Sequence, residues 1–147
     1  MTDRRATLVG MNHVALEVSD IEAALAFWGK IFRFNLRSKS ENAAFIDMGD
    51  QFIALMRTDT PHRDEHRHFG VVVDDRSAVL ELAREAGAEV PESWAHDIID
   101  PWGNFIQVIE YKDIQFSKTE GVLKGMGLDG LGKTDKAREE LKNKGMA

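Results

Sequence analysis

Two histidines occupy the same place in two similar stretches of the sequence. His13 lies in MNHVALEV and His68 lies in RHFGVVV, 55 residues further on, and each histidine opens an apolar run. Imidazole nitrogens are good ligands for zinc, iron, nickel and copper. Two imidazoles facing one cavity could therefore hold a metal ion. The alternative is a pair of neutral histidines that hydrogen-bond within a polar cavity.

Other residue types recur at nearly the same offset. The matching pairs are Ser19 with Asp74, Leu25 with Leu80, Gly49 with Gly103 and Ala54 with Gln107, at offsets of 55, 55, 54 and 53 residues. An offset that holds across helix starts, helix faces, turns and strands indicates a duplicated unit. One such unit cannot bury both its helix and a sheet face, so we expect the two units to join.

The first unit is predicted to be a strand, a helix and three further strands. In residues 11–18, Val14, Leu16 and Val18 fall on one strand face, whereas the other face carries His13, Ala15 and Glu17. Ser19 and Glu22 have the spacing of a capping box that begins a helix. Strand patterns follow at 34–38, 43–48 and 51–57, the last two joined by a Gly49–Asp50 turn.

The second unit repeats this order after a polar linker at residues 58–65. A strand is predicted at 68–73, a helix beginning at Asp74 or Asp75 and ending at Gly87, and strands at 89–90, 94–100 and 104–111. We therefore expect one domain over residues 1–147, made of units 10–58 and 66–112 and a helical C-terminal extension, 113–147. In the extension, Ser117 with Glu120 predicts one helix start, and Thr134 or Asp135 predicts another.

Composition excludes several classes of protein. The formal net charge of -6 argues against wholesale binding of nucleic acid. No apolar run approaches the roughly 20 residues of a membrane span. The chain has no cysteine, which excludes disulfides and thiolate chemistry and fits a reducing compartment. The N-terminal MTDRRATLVG lacks the apolar core of a secretory signal, so we expect a cytoplasmic protein.

The whole pattern resembles the vicinal oxygen chelate superfamily, which includes glyoxalase I, extradiol dioxygenases, fosfomycin-modifying enzymes and bleomycin-resistance proteins. The resemblance is carried by the segments 12–16, 68–71, 100–104 and 106–108, and by the helix start at Asp20 and Glu22. It covers residues 10–112. It implies an α+β fold in which two βαβββ units form a cup-shaped mixed β-sheet with flanking helices, and it implies a homodimer.

The resemblance also implies four positions that face the cavity: His13, Ala54, His68 and Gln107. Metal-dependent members normally have at least one carboxylate in this set, but Ala54 has no ligand atom and Gln107 has only an amide oxygen. We therefore expect His13, His68 and Gln107 to be the ligands of a divalent metal (zinc, iron, nickel or manganese), with His66 in reserve, or no metal at all. Glu110 lies on the opposite strand face from Gln107, which argues against it as a ligand.

Three functions follow as expectations. One is a protein that binds a small molecule in the cavity through an atypical His/His/Gln metal site. Another is a metal-dependent glyoxalase- or dioxygenase-type lyase, isomerase or oxygenase, and the last is a metal-free protein that sequesters a small molecule. The residues expected to line the cavity are Phe52, Ala54, Met56, Phe105 and Tyr111. The missing carboxylates argue most strongly against an ordinary glyoxalase I.

Overall fold

The computed structural model describes residues 4–7, 9–91 and 97–146. The elements in chain order are β1 (His13–Val18), α1 (Ile21–Ile31), β2 (Asn35–Lys39), β3 (Ala43–Asp47), β4 (Phe52–Arg57), β5 (Phe69–Val73), α2 (Arg76–Glu85), β6 (Ile98–Ile99) and β7 (Phe105–Glu110). A 3₁₀ turn (Tyr111–Asp113) and two helices, α3 (Glu120–Gly125) and α4 (Asp135–Asn143), complete the chain.

The strands form two small mixed sheets. The first has the order β1-β4-β3-β2, in which β1 and β4 run parallel and the other neighbours run antiparallel. The second has the order β5-β7-β6, in which β5 and β7 run parallel and β6 and β7 run antiparallel. The predicted α+β fold with two mixed sheets and flanking helices is confirmed.

The second sheet is the less complete of the two among the described residues. In place of the strand predicted at 89–90, Glu89 forms an isolated bridge with Ile99. The strand predicted at 94–100 is seen only as Ile98–Ile99. Residues 92–96, which include Trp94 and His96, lie outside the described residues.

One face of each sheet packs against the helix of its own unit. Leu16, Val18, Ile53 and Leu55 are buried with the α1 residues Ile21, Ala24, Phe27, Trp28 and Ile31. Val71, Ile106 and Val108 are buried with Val79 and Ala83 of α2. All of these side chains belong to one apolar cluster, so the two units share a core. The opposite face of each sheet remains for the candidate site.

Two of the predicted capping residues, Ser19 and Ser117, are wrong, although helices begin where they were predicted. The Asp20 side chain, rather than that of Ser19, accepts the hydrogen bond from the first turn of α1, while the Ser19 hydroxyl accepts one from the Trp102 indole at 2.8 Å. At α3 the capping residue is Thr119, and the Ser117 hydroxyl donates to the Gln115 carbonyl instead. A capping-box pattern specifies residue types three positions apart, but the backbone path decides which oxygen reaches the free N–H groups. The predicted caps at α2 and α4 are confirmed as Asp75 and Thr134.

The C-terminal extension folds back onto both units. The Lys133 ammonium donates to the carbonyl oxygens of Tyr111, Ile114 and Phe116, which holds the chain in a turn just after β7. The side chain of Lys118 is only 9% exposed, donates to the Met48 carbonyl and pairs with Asp50. The hydrogen bond from Lys118 lowers the pKa of Asp50. The extension therefore ties the end of the second unit to the β3–β4 turn of the first.

The β3–β4 turn is shaped for this contact. Gly49 has φ of +87°, and a Cβ atom added there would lie 2.6 Å from the Met126 sulfur. The backbone conformation therefore favours glycine, and any larger residue would also displace the Met126 side chain. None of the helices within the described ranges is long and apolar enough to span a membrane.

Candidate metal and small-molecule site

A buried carboxylate organises the turn before β7. Asp100 is 3% exposed, and it accepts hydrogen bonds from the Trp102 N–H (3.0 Å), the Asn104 N–H (2.8 Å) and the Asn104 side-chain amide (2.8 Å). Burial raises the pKa of Asp100 even though these donors favour its charged form. The Asn104 amide also donates to the Glu17 carbonyl at 2.9 Å, so the turn positions β7 relative to β1.

The face of the first sheet opposite α1 carries the first candidate residues. In the parallel pairing of β1 with β4, His13 is opposite Phe52, Ala15 is opposite Ala54, and Glu17 is opposite Met56. Paired residues share a face, and the residues between them belong to the core. We call the face that carries these three pairs, opposite α1, the open face of the first sheet. On it His13, Ala15, Glu17 and Met56 are exposed, Phe52 is half-buried and Ala54 is buried.

The second sheet has a corresponding open face. Gly70 pairs with Gln107 and Val72 pairs with Ile109, opposite the core residues Val71 and Val108. His68 directly precedes β5 and lies two residues before Gly70, which pairs with Gln107 on this face.

Two of the residues predicted to line the cavity, Phe105 and Tyr111, contact other parts of the chain. The Phe105 ring is buried, and the Arg63 guanidinium lies 5.5 Å from its centroid. Strand β7 ends at Glu110, so the alternation that predicted Tyr111 on the open face stops one residue too early. Instead, the Lys133 ammonium nitrogen lies 3.5 Å from the Tyr111 ring centroid, and the Tyr111 hydroxyl accepts a hydrogen bond from the Lys118 backbone N–H. Tyr111 is thus part of the packing of the C-terminal extension.

Both histidines are anchored through the same ring nitrogen. His13 Nδ1 lies 2.8 Å from Asn12 Oδ1, and His68 Nδ1 lies 3.1 Å from the His66 carbonyl oxygen. The His13 ring is also stacked on Phe52, with ring centroids 4.6 Å apart and planes 9° apart. Across the described chain, neither Nε2 has a hydrogen-bond partner. An imidazole held through one nitrogen with the other unbonded has the orientation that metal-bound histidines adopt.

The side chain of the third predicted ligand, Gln107, is also available to a metal ion. The half-buried side chain of Gln107 makes no hydrogen bond to any described residue. Its amide oxygen can act as a neutral ligand beside two imidazoles. The donor chemistry therefore fits a divalent ion, although it supplies no negative charge.

The predicted ligands are divided between the two sheets. His13 and His68 belong to different sheets, which share no strand pairing. Among the residues that the structure describes, no group of three or more histidine, aspartate or glutamate side chains could hold a metal ion. The reserve ligand His66 therefore does not complete a three-histidine cluster with His13 and His68.

The acidic residues near the open faces have other partners. Glu110 accepts from the Arg76 backbone N–H at the start of α2 (3.0 Å), which lowers its pKa, and it pairs with Lys112. This contact agrees with its predicted place on the face opposite Gln107. Glu17 lies 3.6 Å from His62 at the edge of the first open face.

The family model described as the Glyoxalase/Bleomycin resistance protein/Dioxygenase superfamily matches residues 10–108. The chain belongs to this superfamily. The match covers both units and ends within β7, so it includes all three predicted ligands.

Proteins similar to this superfamily member include a glutathione transferase and a fosfomycin resistance protein. The chain is 21% identical over 113 residues to a glutathione transferase FosA from Serratia marcescens, covering 69% of this chain and 80% of that protein. A glyoxalase-family protein from Bacillus anthracis has a TM-score of 0.59 at 22% identity, covering 72% of this chain and 98% of that chain. The fosfomycin resistance protein FosX from Listeria monocytogenes, solved with Mn(II) and sulfate, has a TM-score of 0.58 at 18% identity, covering 82% and 99%. At these identities the structural likeness confirms the fold alone.

Sequence reasoning missed two residues that border the site. Asn12 orients His13, and the only signal for it is a polar residue next to the histidine. Arg37 lies over the Phe52 ring, with Cζ 4.9 Å from its centroid. No sequence pattern predicted that contact, because it depends on an irregularity in β2.

Proposed function

We propose that this superfamily member binds a divalent metal ion through His13, His68 and Gln107 and uses it to hold a small oxygen-rich molecule between the open faces. The observation that supports the proposal is the matched anchoring of the two histidines, each held through Nδ1 with Nε2 left unbonded. Two imidazoles and an amide oxygen suit zinc, manganese, iron or nickel. A bound ion would act as a Lewis acid on a substrate oxygen.

The residues of the chain would supply the surroundings of that molecule. Phe52, Ala54 and Met56 form an apolar strip along β4 beside His13. Apolar walls keep water away from a bound substrate and strengthen its polar contacts. The structural similarity to FosX, which is named for fosfomycin resistance, supports fosfomycin, a small epoxide with a phosphonate group, as the first compound to test. A cytoplasmic location is part of the proposal and is supported by the absence of cysteine.

We further propose that a homodimer completes the site. Ala15, Glu17, Met56 and Gly70 are exposed on the open faces of a single chain. If the first open face of one chain covers the second open face of its partner, His13 meets the ligands that the other chain supplies. This arrangement accounts for the location of His13 and His68 on separate sheets.

Elemental analysis of protein purified without chelator tests the metal site. We expect a stoichiometric metal ion in the wild type, its loss in the His13→Ala/His68→Ala variant, and its retention in the control His62→Ala, because His62 is 81% exposed in the linker. Gln107→Glu should bind the metal more tightly because a carboxylate adds the missing negative charge. Protein that takes up no manganese, zinc, iron or nickel would refute the metal proposal and leave the metal-free sequestering protein as the function.

Mixed dimers test where the site is built. Co-expression of His13→Ala chains with His68→Ala chains gives heterodimers in which one of two sites is intact if each site spans both chains. A two-fold dimer has two such sites, and only one of them keeps both histidines. The heterodimer should therefore bind about half the metal of the wild type. A heterodimer without metal would show that each site lies within one chain, and a monomer in sedimentation would exclude the dimer.

A further inference from the structure

A β-bulge in β2 sets the position of Arg37. In the pairing of β2 with β3, Leu36 is opposite Ile46 and Ser38 is opposite Phe45, so Arg37 is an extra residue between two consecutive partners. A bulge of this kind redirects a side chain, and bulges are over-represented next to active sites. Here the guanidinium of Arg37 lies over Phe52 on the open face of the first sheet.

Arg37 and His13 share the same aromatic ring. The Arg37 Cζ atom is 4.9 Å from the Phe52 centroid, and the His13 centroid is 4.6 Å from it. Both distances are measured to one point, so Arg37 Cζ and the imidazole centre are at most about 9.5 Å apart. A small molecule held at His13 is therefore within reach of Arg37.

Arg37 has no counterion among the described residues, as is also true of Arg67 and Arg84. The arginines that each pair with a carboxylate are Arg33, Arg57, Arg63, Arg76 and Arg138. Arg37 makes no ion pair and no hydrogen bond to any other residue in the described part of the chain. By strand register the nearest acid on this face is Asp47, opposite Phe52, and its carboxylate accepts from the Gly49 N–H instead.

We propose that Arg37 binds the anionic group, a phosphonate or a carboxylate, of the small molecule that the site accepts. Stacking on Phe52 holds the planar guanidinium while its edge N–H groups stay available, and that edge matches two oxygens of such an anion. The carboxylates on this face, Glu17 and Asp47, have other partners, so the positive charge of Arg37 is available to an anionic ligand. The separation of at most about 9.5 Å between Arg37 Cζ and the His13 ring sets the length that a ligand needs in order to contact both. This inference rests on the proposed function, which supplies the second anchor at His13.

Titration of the protein with methylphosphonate and with acetate tests the inference, with dissociation constants taken in every variant from the backbone amide resonances of β1, β2 and β4, and with the side-chain Nε–H resonance of Arg37 also followed by NMR in the wild type. Metal-free and zinc-loaded protein are titrated separately. We expect saturable shifts of that resonance in the wild type. Arg37→Gln should weaken binding at least about tenfold in both forms, since hydrogen bonds to charged groups are among the strong ones. Arg37→Lys should lose only part of the affinity, because the charge remains but the two-pronged geometry does not.

The matched control is Arg33→Gln, because Arg33 is an exposed arginine just after α1. This variant should bind both anions as the wild type does. The anion that binds more tightly through Arg37 identifies the class. An unchanged dissociation constant in Arg37→Gln would overturn the inference. Binding by metal-free His13→Ala/His68→Ala protein keeps this test separate from that of the metal site, because Arg37 needs no metal to contact the anion.

Discussion

Replacement of Asp100 by alanine removes the one acceptor that three donors share. The Trp102 N–H, the Asn104 N–H and the Asn104 side-chain amide lie 2.8–3.0 Å from the Asp100 carboxylate, which is 3% exposed. A buried donor without an acceptor costs about 1–3 kcal/mol. Trp102 is only half-buried, so water can satisfy part of that loss. We therefore expect Asp100→Ala to lower the free energy of unfolding by about 3–5 kcal/mol.

Asp100→Asn separates charge from hydrogen bonding. The new amide oxygen can still accept from the two backbone N–H groups, but its NH₂ group would face the Asn104 amide. Asn104 cannot turn its own oxygen toward it without losing the hydrogen bond to the Glu17 carbonyl. One bond is therefore lost, and we expect about 1–2 kcal/mol of destabilisation.

Urea unfolding followed by tryptophan fluorescence measures both values, with Asp129→Ala as an exposed control. In thermal unfolding, Asp100→Ala should lower the melting temperature by about 10 °C, since 1 kcal/mol corresponds to about 2–4 °C for a chain of this size. A loss below about 1 kcal/mol for Asp100→Ala, less than the cost of one orphaned donor, would refute the argument that this carboxylate organises the turn.

Two further predictions concern the extension and the response to pH. Lys118→Met keeps the aliphatic part of the side chain but removes its contacts with the Met48 carbonyl and the Asp50 carboxylate. Limited proteolysis should therefore cleave the segment after β7 faster in this variant than in the exposed control Lys124→Met. Equal cleavage rates would exclude Lys118 as the residue that attaches the extension. The pKa of Glu110 is lowered in the folded state, so its contribution to stability is present above the ordinary glutamate pKa of about 4.3 and is lost as pH falls through the lower folded value. Glu110→Gln should therefore reduce the acid dependence of stability below about pH 4.3, and an unchanged acid transition would contradict this assignment.

Local pattern was sufficient for the α+β fold with two mixed sheets and for the faces of its main strands. Side chains alternate along a strand with a period of two, so the core residues Leu16 and Val18 place His13 on the other face whatever the rest of the fold does. The same rule placed Gln107 opposite Val108 and kept Glu110 away from it. These predictions needed only neighbouring residues, and the offset of 55 then related one unit to the other.

Contacts between residues distant in sequence decided the rest. Ser19 lost its predicted capping role because its hydroxyl meets Trp102, 83 positions away. Tyr111 does not continue strand β7, because Lys133 binds the carbonyl oxygens of the turn that begins there. The bulge that brings Arg37 over Phe52 depends on the register of β2 against β3, and residue types near position 37 do not reveal that register. Strand faces follow from local geometry, whereas the neighbours of each side chain on those faces follow from how separate segments pack.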